Sequence, residues 1–253
     1  MRWAKAGPII SESIVQTPRI LPCGDSAVTV EFGSTVDPDL NGKVLALDEI
    51  VRQRAPTGLI ETVPTYRSLT IQFDPTVTDY EALVSLLEEE ARDIAPRNAK
   101  GRRWRVPVVY GGEFGSDLEE VAEIHGMTPA QVIDIHSSAV YRIYLIGFLP
   151  GFTYLGGLDK RIATSRRLHP RAKIPSGTIM IGGEQAGIAP MDMPSGWHNL
   201  GRTPVRTYAP ERDPAFLFAA GDEIVFEPID ASRWESLEMA ALAGEPVAEE
   251  VRP

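Results

Sequence analysis

"VYRIYLIGFLPGFTYLGG", residues 140–157, sets the architecture of the second half of the chain. An apolar run breaks at Gly147, Pro150 and Gly151 and resumes at Phe152, as strands joined by tight turns do. The same pattern recurs in "GTIMIGG" (177–183), "QAGIAP" (185–190), "TPVRTYAP" (203–210), "AFLFAA" (215–220) and "DEIVFEPI" (222–229). Short apolar stretches punctuated by Gly and Pro predict a β-barrel or compact sandwich over residues 140–243. A helix at "DASRWESLEMAALAG" (230–244) closes it, with Trp234, Leu237 and Ala241 on one side. Residues 244–253 read as a disordered tail.

Upstream the grammar is different. "AVTVEF" (27–32) puts Val28, Val30 and Phe32 on one face of a strand, and "DPDLNGKVLALDEIVRQR" (37–54) is a helix with Asp37 as N-cap and Pro38 in its first turn. Two strands follow, "GLIETVPTY" (58–66) and "SLTIQF" (68–73). Next come a helix from "TDYE" (78–81), where Thr78 and Glu81 suit a capping box, and a final strand "RWRVPVVY" (103–110). This order predicts an α+β chain whose residues 18–110 form a ferredoxin-like α/β sandwich, with a tail at 1–17. Between 111 and 139 lie two short helices, with capping boxes at Ser116/Glu119 and Thr128/Gln131. They resemble a helix-turn-helix in outline. The first is acidic and the second has no cation besides His136, so a packing linker is expected and no nucleic-acid binding.

The composition supports that exclusion. Among 253 residues, 35 Asp and Glu outnumber 25 Lys and Arg, for a net charge of -10, which opposes broad contact with nucleic acid or anionic membranes. No apolar run is long enough to span a bilayer. The single cysteine, Cys23, allows no intrachain disulfide, and the expected location is the cytoplasm. Beside a strand, such a cysteine ordinarily packs; a nucleophilic role needs a neighbouring base.

There is no phosphate loop, no dinucleotide fingerprint, no HExxH and no CxxC, and neither Ser176 nor Ser195 sits in a nucleophile elbow. The four histidines lack ligand spacing, so no metal site is expected. His136, just before the first barrel strand, is placed either to bring a general acid or base to a cleft or to fill the core. "KRIATSRRLHPRAKIP" (160–175) gathers Lys160, Arg161, Arg166, Arg167, Arg171 and Lys173 in an otherwise acidic chain: an anion or partner site, or a solvated loop. In "PSGWHNLGRTP" (194–204), Trp197, Arg202 and Thr203 offer a stacking face and a planar donor, or a plugged barrel corner.

Taken in order, "GDSAVTVEFG", "VPTYRSLTIQFDP", "VPVVYGGEFGSDLEEVA", "IGFLPGFTYLGGLD", "RRLHPRAKIPSGTIMIGGEQAGIAP", "PSGWHNLGRTP" and "AGDEIVFEPI" resemble a bacterial family over roughly residues 19–230. That family is known as KipI, the 5-oxoprolinase B subunit (PxpB) or allophanate hydrolase subunit 1. The chain departs from it at Ser195, where glycine is common, at Ala189, where an aromatic often stands, and in "TYAP", where a Leu-Phe pair is usual.

The resemblance implies a small α+β domain joined to a cyclophilin-like β-barrel. It also implies action with a homologous partner, the 5-oxoprolinase C subunit or allophanate hydrolase subunit 2, and with the 5-oxoprolinase A subunit. The expected activity is ATP-dependent opening of 5-oxoproline to glutamate, with ATP bound with or by one of these partners. The alternatives are a urea carboxylase-type carboxyltransferase subunit and a KipI-like inhibitor of a histidine kinase. On this reading His136, Arg167, Arg171 and Arg202 serve catalysis, the arginines by stabilising phosphate or carboxylate charge. Gly147, Phe148, Pro150, Gly151, Phe152, Tyr154, Gln185, Trp197 and Thr203 line the cleft as a platform.

Overall fold

The Asp37 carboxylate accepts hydrogen bonds from the backbone N–H groups of Asp39 and Leu40, at 2.8 and 3.1 Å, and Pro38 fills a position where a missing N–H costs nothing. These choices start a helix, and its neighbours complete the first of two units in the computed structural model. The model describes residues 17–97 and 101–251. The first unit ends at Arg97. Its elements are β1 (Arg19–Pro22), β2 (Ala27–Glu31), α1 (Pro38–Arg54), β3 (Leu59–Pro64), β4 (Ser68–Phe73) and α2 (Tyr80–Ala91). The strands form one antiparallel sheet in the order β1-β2-β4-β3. Val28, Val30, Leu69, Ile71 and Phe73 bury one face of it against Val44, Leu47 and Val51 of α1 and Leu83 and Leu87 of α2. Alternation in the strands and helical spacing in the helices are therefore both satisfied in one core.

Two details differ from expectation. The helix N-cap of α2 is Asp79, whose carboxylate accepts from Glu81 N–H, and not Thr78. The Thr78 N–H is taken by the carbonyl of Asp74 in the preceding turn. The strand at 103–110 does not join this sheet at all. The edge it was expected to fill is supplied by β1, which lies antiparallel to β2 through pairs such as Ile20 with Val30. The six-element ferredoxin-like order is thus replaced by one whose extra strand comes first. The tail expected at 1–17 lies, apart from Thr17, outside the described residues.

In the second unit, β5 (Arg103–Tyr110) runs parallel to the strand near the C-terminus, Arg103 pairing with Glu223 and Val108 with Pro228. Its near-continuous run of buried residues, Val106 to Val109, marks a strand covered on both faces, as an interior barrel strand is. After β5 come α3 (Leu118–Ile124), α4 (Pro129–Ser138), β6 (Val140–Ile146), β7 (Thr153–Gly156), β8 (Arg171–Ile174), β9 (Thr178–Gly182), β10 (Gln185–Ile188), β11 (Met193–Ser195) and β12 (His198–Arg202). The chain finishes with β13 (Glu223–Pro228), α5 (Trp234–Leu242) and β14 (Glu249–Val251). Seven strands close on themselves in the order β12-β9-β10-β7-β6-β13-β5 through the β5–β12 pairing, while β8 and β11 form a separate ribbon. Closure removes the open edges that invite aggregation. Ile143, Leu155, Ile179, Ile181, Leu200 and Ile224 fill the interior.

The expected strands at 203–210 and 215–220 are absent, with one bridge between Tyr208 and Phe216 in their place. Three prolines, Pro204, Pro210 and Pro214, remove ladder donors, and the Arg212 guanidinium ties the carbonyls of Arg206, Pro214 and Ala215 together instead. The expected C-terminal tail is partly ordered: β14 pairs with β5, and Arg105 meets Glu249 at 2.8 Å. Residues 252–253 lie outside the described residues. Thr128 and Gln131 make the expected capping box of α4, whereas Ser116 and Glu119 make none at α3, whose N-cap is Asp117. Among the described residues no helix is long and apolar enough to cross a membrane.

His136 settles into this core rather than into a cleft. It is fully buried, stacks on Phe226 at 4.9 Å between ring centroids, and places Nδ1 2.8 Å from the Tyr110 hydroxyl. Its Nε2 is buried without a partner. A second ring N–H would have no acceptor, so the imidazole stays neutral, and burial lowers its pKa to about 3. A group with that value cannot exchange protons with a substrate near neutrality, which corrects the acid–base expectation.

Two tests follow from this packing. Below pH 6.5 the unfolded chain takes up a proton at His136 that the folded chain refuses, so stability falls as pH drops from 6.5 toward 3. The slope is about 1.4 kcal/mol per pH unit from this residue alone. In His136→Gln, urea unfolding at pH 7 and pH 5 should differ by about 2 kcal/mol less than in the parent protein. Asp222 is the other test. Its buried carboxylate accepts from the backbone N–H groups of Arg102 and Ala219 and from Trp104 Nε1, and it pairs with Arg102 at 2.9 Å. Asp222→Ala orphans those donors at the barrel seam and should cost about 3 kcal/mol in the same measurement.

Candidate functional site

The turn between β6 and β7 is closed by two backbone bonds: Gly147 N–H donates to the Phe152 carbonyl at 3.1 Å, and Phe152 N–H to the Leu149 carbonyl at 2.9 Å. Gly151 has φ +82°, and a Cβ there would lie 2.6 Å from that of Tyr208, so only glycine fits. Phe148 also has positive φ, 73°, without glycine's freedom, and its side chain is 70% exposed. Such a backbone costs energy and is kept only where the surrounding turn enforces it.

Phe148 stands edge-on to Phe152 at 6.0 Å, Phe152 lies 4.5 Å from Tyr154, and both Phe152 and Tyr154 stand edge-on to Trp197 at 6.3 and 6.2 Å. Trp197 sits at the corner between β11 and β12, where its N–H donates to Ser195 Oγ at 3.1 Å. Gly182 leaves room for the indole, which a Cβ at that position would approach to 2.7 Å. Together with Met180, Pro170 and Met193–Ser195 of β11, these rings line an open cavity of about 270 Å³. A second hollow of about 500 Å³ adjoins it, lined by Glu120, Ile124, Thr164, Leu168 and His198, and the two share Arg166 and Arg167.

The arginines of the 160–175 loop are not equivalent. Asp117, 1% exposed, receives both terminal nitrogens of Arg171, one at 2.8 Å and one closer, together with Arg167 at 3.3 Å and the backbone N–H of Asn199 at 2.8 Å. Arg167 also pairs with Glu120. The charges of Arg167 and Arg171 are thereby met inside the protein. These bonds hold the loop to the start of α3 and to β12, while Arg167 also borders both hollows. Arg161 pairs with Asp159 and Lys173 with Asp192, both at 2.7 Å. Arg166 lies over the Trp197 ring at 5.5 Å and has no ion pair among the described residues.

The remaining expected residues divide clearly. Phe148, Phe152, Tyr154 and Trp197 come together, with Arg167 at the wall. Gly147, Pro150 and Gly151 shape the turn behind Phe148 without lining the cavity. Gln185 opens β10 at a hairpin, and Thr203 is buried with its Oγ1 accepting from Val205 N–H; neither borders the cavity. Arg202, at the far end of β12 from Trp197, gives its Nε hydrogen to the Ser176 carbonyl and lies over Trp234 at 4.7 Å, where burial lowers its pKa. It belongs to a separate place. Cys23 is exposed in the first unit, so the packing expectation fails there. Arg166, Met180 and Met193 border the cavity without having been expected there; in the sequence Arg166 is only one cation among six.

What this arrangement can do is bind. Aromatic and thioether walls suit an apolar body, and a guanidinium at the rim suits an anion. Burial raises the pKa of the Tyr154 phenol, while nearby Arg166 pulls it the other way, so the phenol stays protonated and can offer a hydrogen bond rather than act as a base. The lining holds no carboxylate, histidine or cysteine. Among the described residues no cluster of three or more His, Cys, Asp or Glu could hold a metal.

Residues 18–218 match the family described as carboxyltransferase domain, subdomain C and D. The 5-oxoprolinase B subunit of Bacillus subtilis (strain 168) is 39% identical over 214 residues, covering 80% of this chain and 89% of that protein. That of Haemophilus influenzae is 39% identical over 208 residues, covering 82% and 96%. Among solved structures, the urea carboxylase of Kluyveromyces lactis superposes with a TM-score of 0.78 at 20% identity. That match covers 92% of this chain but only 24% of the longer one, and is a likeness of fold. The match over most of the chain and the near full-length likeness to two bacterial proteins agree with the ordered motifs and the barrel: the chain belongs to the carboxyltransferase subdomain C and D family, in its branch of 5-oxoprolinase B subunits and KipI.

Proposed function

We propose that this chain is the B subunit of an ATP-dependent 5-oxoprolinase, opening 5-oxoproline to glutamate together with a homologous C subunit and an A subunit. The observation that carries the reading is the 39% identity to two 5-oxoprolinase B subunits over 89% and 96% of their lengths. The chemistry of the barrel cavity agrees with it. Lactam hydrolysis needs a water brought to the ring carbonyl and a proton delivered to the leaving nitrogen. Phosphorylation of the lactam oxygen by ATP would make that carbonyl an easier target. The lining of this cavity holds no carboxylate, histidine or cysteine to relay those protons, and the sequence holds no phosphate loop. On this reading the chain binds and shields the substrate, and the nucleotide site belongs to its partners.

The test is 5-oxoproline-dependent release of phosphate from ATP. This protein alone should give no turnover, and turnover should appear when the A and C subunits are added. Turnover by the isolated chain would contradict the division of labour. A demonstrably assembled mixture without turnover would contradict the substrate, and would turn attention to urea-type substrates and to inhibition of a histidine kinase.

A further inference from the structure

We infer that Arg166 is the residue that selects a carboxylate for the aromatic cavity, whose ligand is a small cyclic monocarboxylic acid. The inference rests on the reading above only for the choice of 5-oxoproline as the acid.

The loop from 160 to 173 carries six cations, and their fates separate them. Arg161, Arg167, Arg171 and Lys173 are each paired with a carboxylate, and Lys160 lines neither cavity. Arg166 lines both cavities, has no ion pair among the described residues and rests on an indole face. Stacking leaves the in-plane N–H groups of a guanidinium directed outward, in the fork that matches a carboxylate. The loop is fastened on either side of it. The Ser165 carbonyl lies 3.0 Å from His198 Nε2, which must carry the hydrogen, and Arg167 N–H donates to the Gly196 carbonyl at 2.7 Å. The backbone on either side of Arg166 is therefore held at the rim, while its exposed guanidinium has no carboxylate partner among the described residues.

The cavity states the rest of the ligand. At about 270 Å³ it falls just below the range of drug-sized sites, which suits a small body such as a single ring. Phe152, Tyr154, Trp197, Met180 and Met193 give that ring apolar faces, and no Asp or Glu lines the wall to attract a cation or repel a carboxylate. The ligand is thus a single ring with one negative charge. Trp197 borders the site, so occupancy is readable in tryptophan fluorescence.

The experiment measures binding of 5-oxoproline, of its neutral carboxamide and of benzoate to the purified full chain and to the assembled complex, for the parent protein, Arg166→Gln and Arg166→Lys. Thermal unfolding checks that the variants fold. The parent should prefer 5-oxoproline over the carboxamide by about tenfold or more. Arg166→Gln should lose that preference while binding the carboxamide as before, and Arg166→Lys should recover part of it. Equal binding of 5-oxoproline by the parent and Arg166→Gln would overturn the assignment and leave the proposed enzyme role standing. If benzoate binds in an Arg166-dependent way and 5-oxoproline does not, the assignment holds and the substrate reading fails. If neither acid binds the chain or the complex, the assignment is wrong.

Discussion

Asp117 is a carboxylate almost wholly withdrawn from water, and such a charge survives only if donors surround it. They come from three parts of the barrel unit: Arg167 of the long loop, Arg171 of β8 and the Asn199 backbone of β12. One buried charge at the start of α3 thus fastens a loop, a ribbon and a barrel strand to one another. The cost of leaving any of these groups unmet makes the arrangement all-or-none. The same bonds explain why the α3 helix lacks a side-chain cap: its N-cap oxygens are engaged elsewhere. The geometry of the aromatic cavity depends on this knot, because Trp197 and Arg166 each stand beside a residue that it or its neighbours hold.

What is legible in the sequence follows the distance over which each feature is decided. The α1 helix is readable to its N-cap because Asp37, Pro38 and the apolar stripe act within a few residues of one another. The glycine-aromatic stretch is readable as a tight turn between strands for the same reason. Residues 103–110 read as a strand but point to the wrong sheet, since the pairing partner lies 120 residues on and nothing local distinguishes the two sheets. β1 escapes because four residues ending in proline carry almost no periodicity.

The arginines teach the same lesson at the site. Arg166, Arg167 and Arg171 are alike as letters, and only Asp117, some fifty residues upstream, divides the engaged from the unengaged. His136 is poised between cleft and core in the sequence, and Phe226, ninety residues later, decides for the core. A barrel brings residues together across its circumference, so the sites it builds are read from closure rather than from spacing. That is also why a chain without a catalytic signature can still carry a pocket.

The parallel ladder between β5 and β13 has a consequence for the order in which the chain takes shape during synthesis. The first unit has all its strands and helices by Ala91, so its core can form while most of the barrel is unmade. β5 emerges next, apolar and without a partner, and waits until the ribosome has delivered residues 223–228. Contacts of such long sequence separation form slowly. For that interval Val106 to Val108 lack a ladder partner, β12 reaching only Val109 and Tyr110, and the run is a template for misplaced pairing. The helix α3, made immediately after it, carries Glu119, Glu120 and Glu123, and flanking charge of this kind opposes misplaced pairing of an uncovered strand.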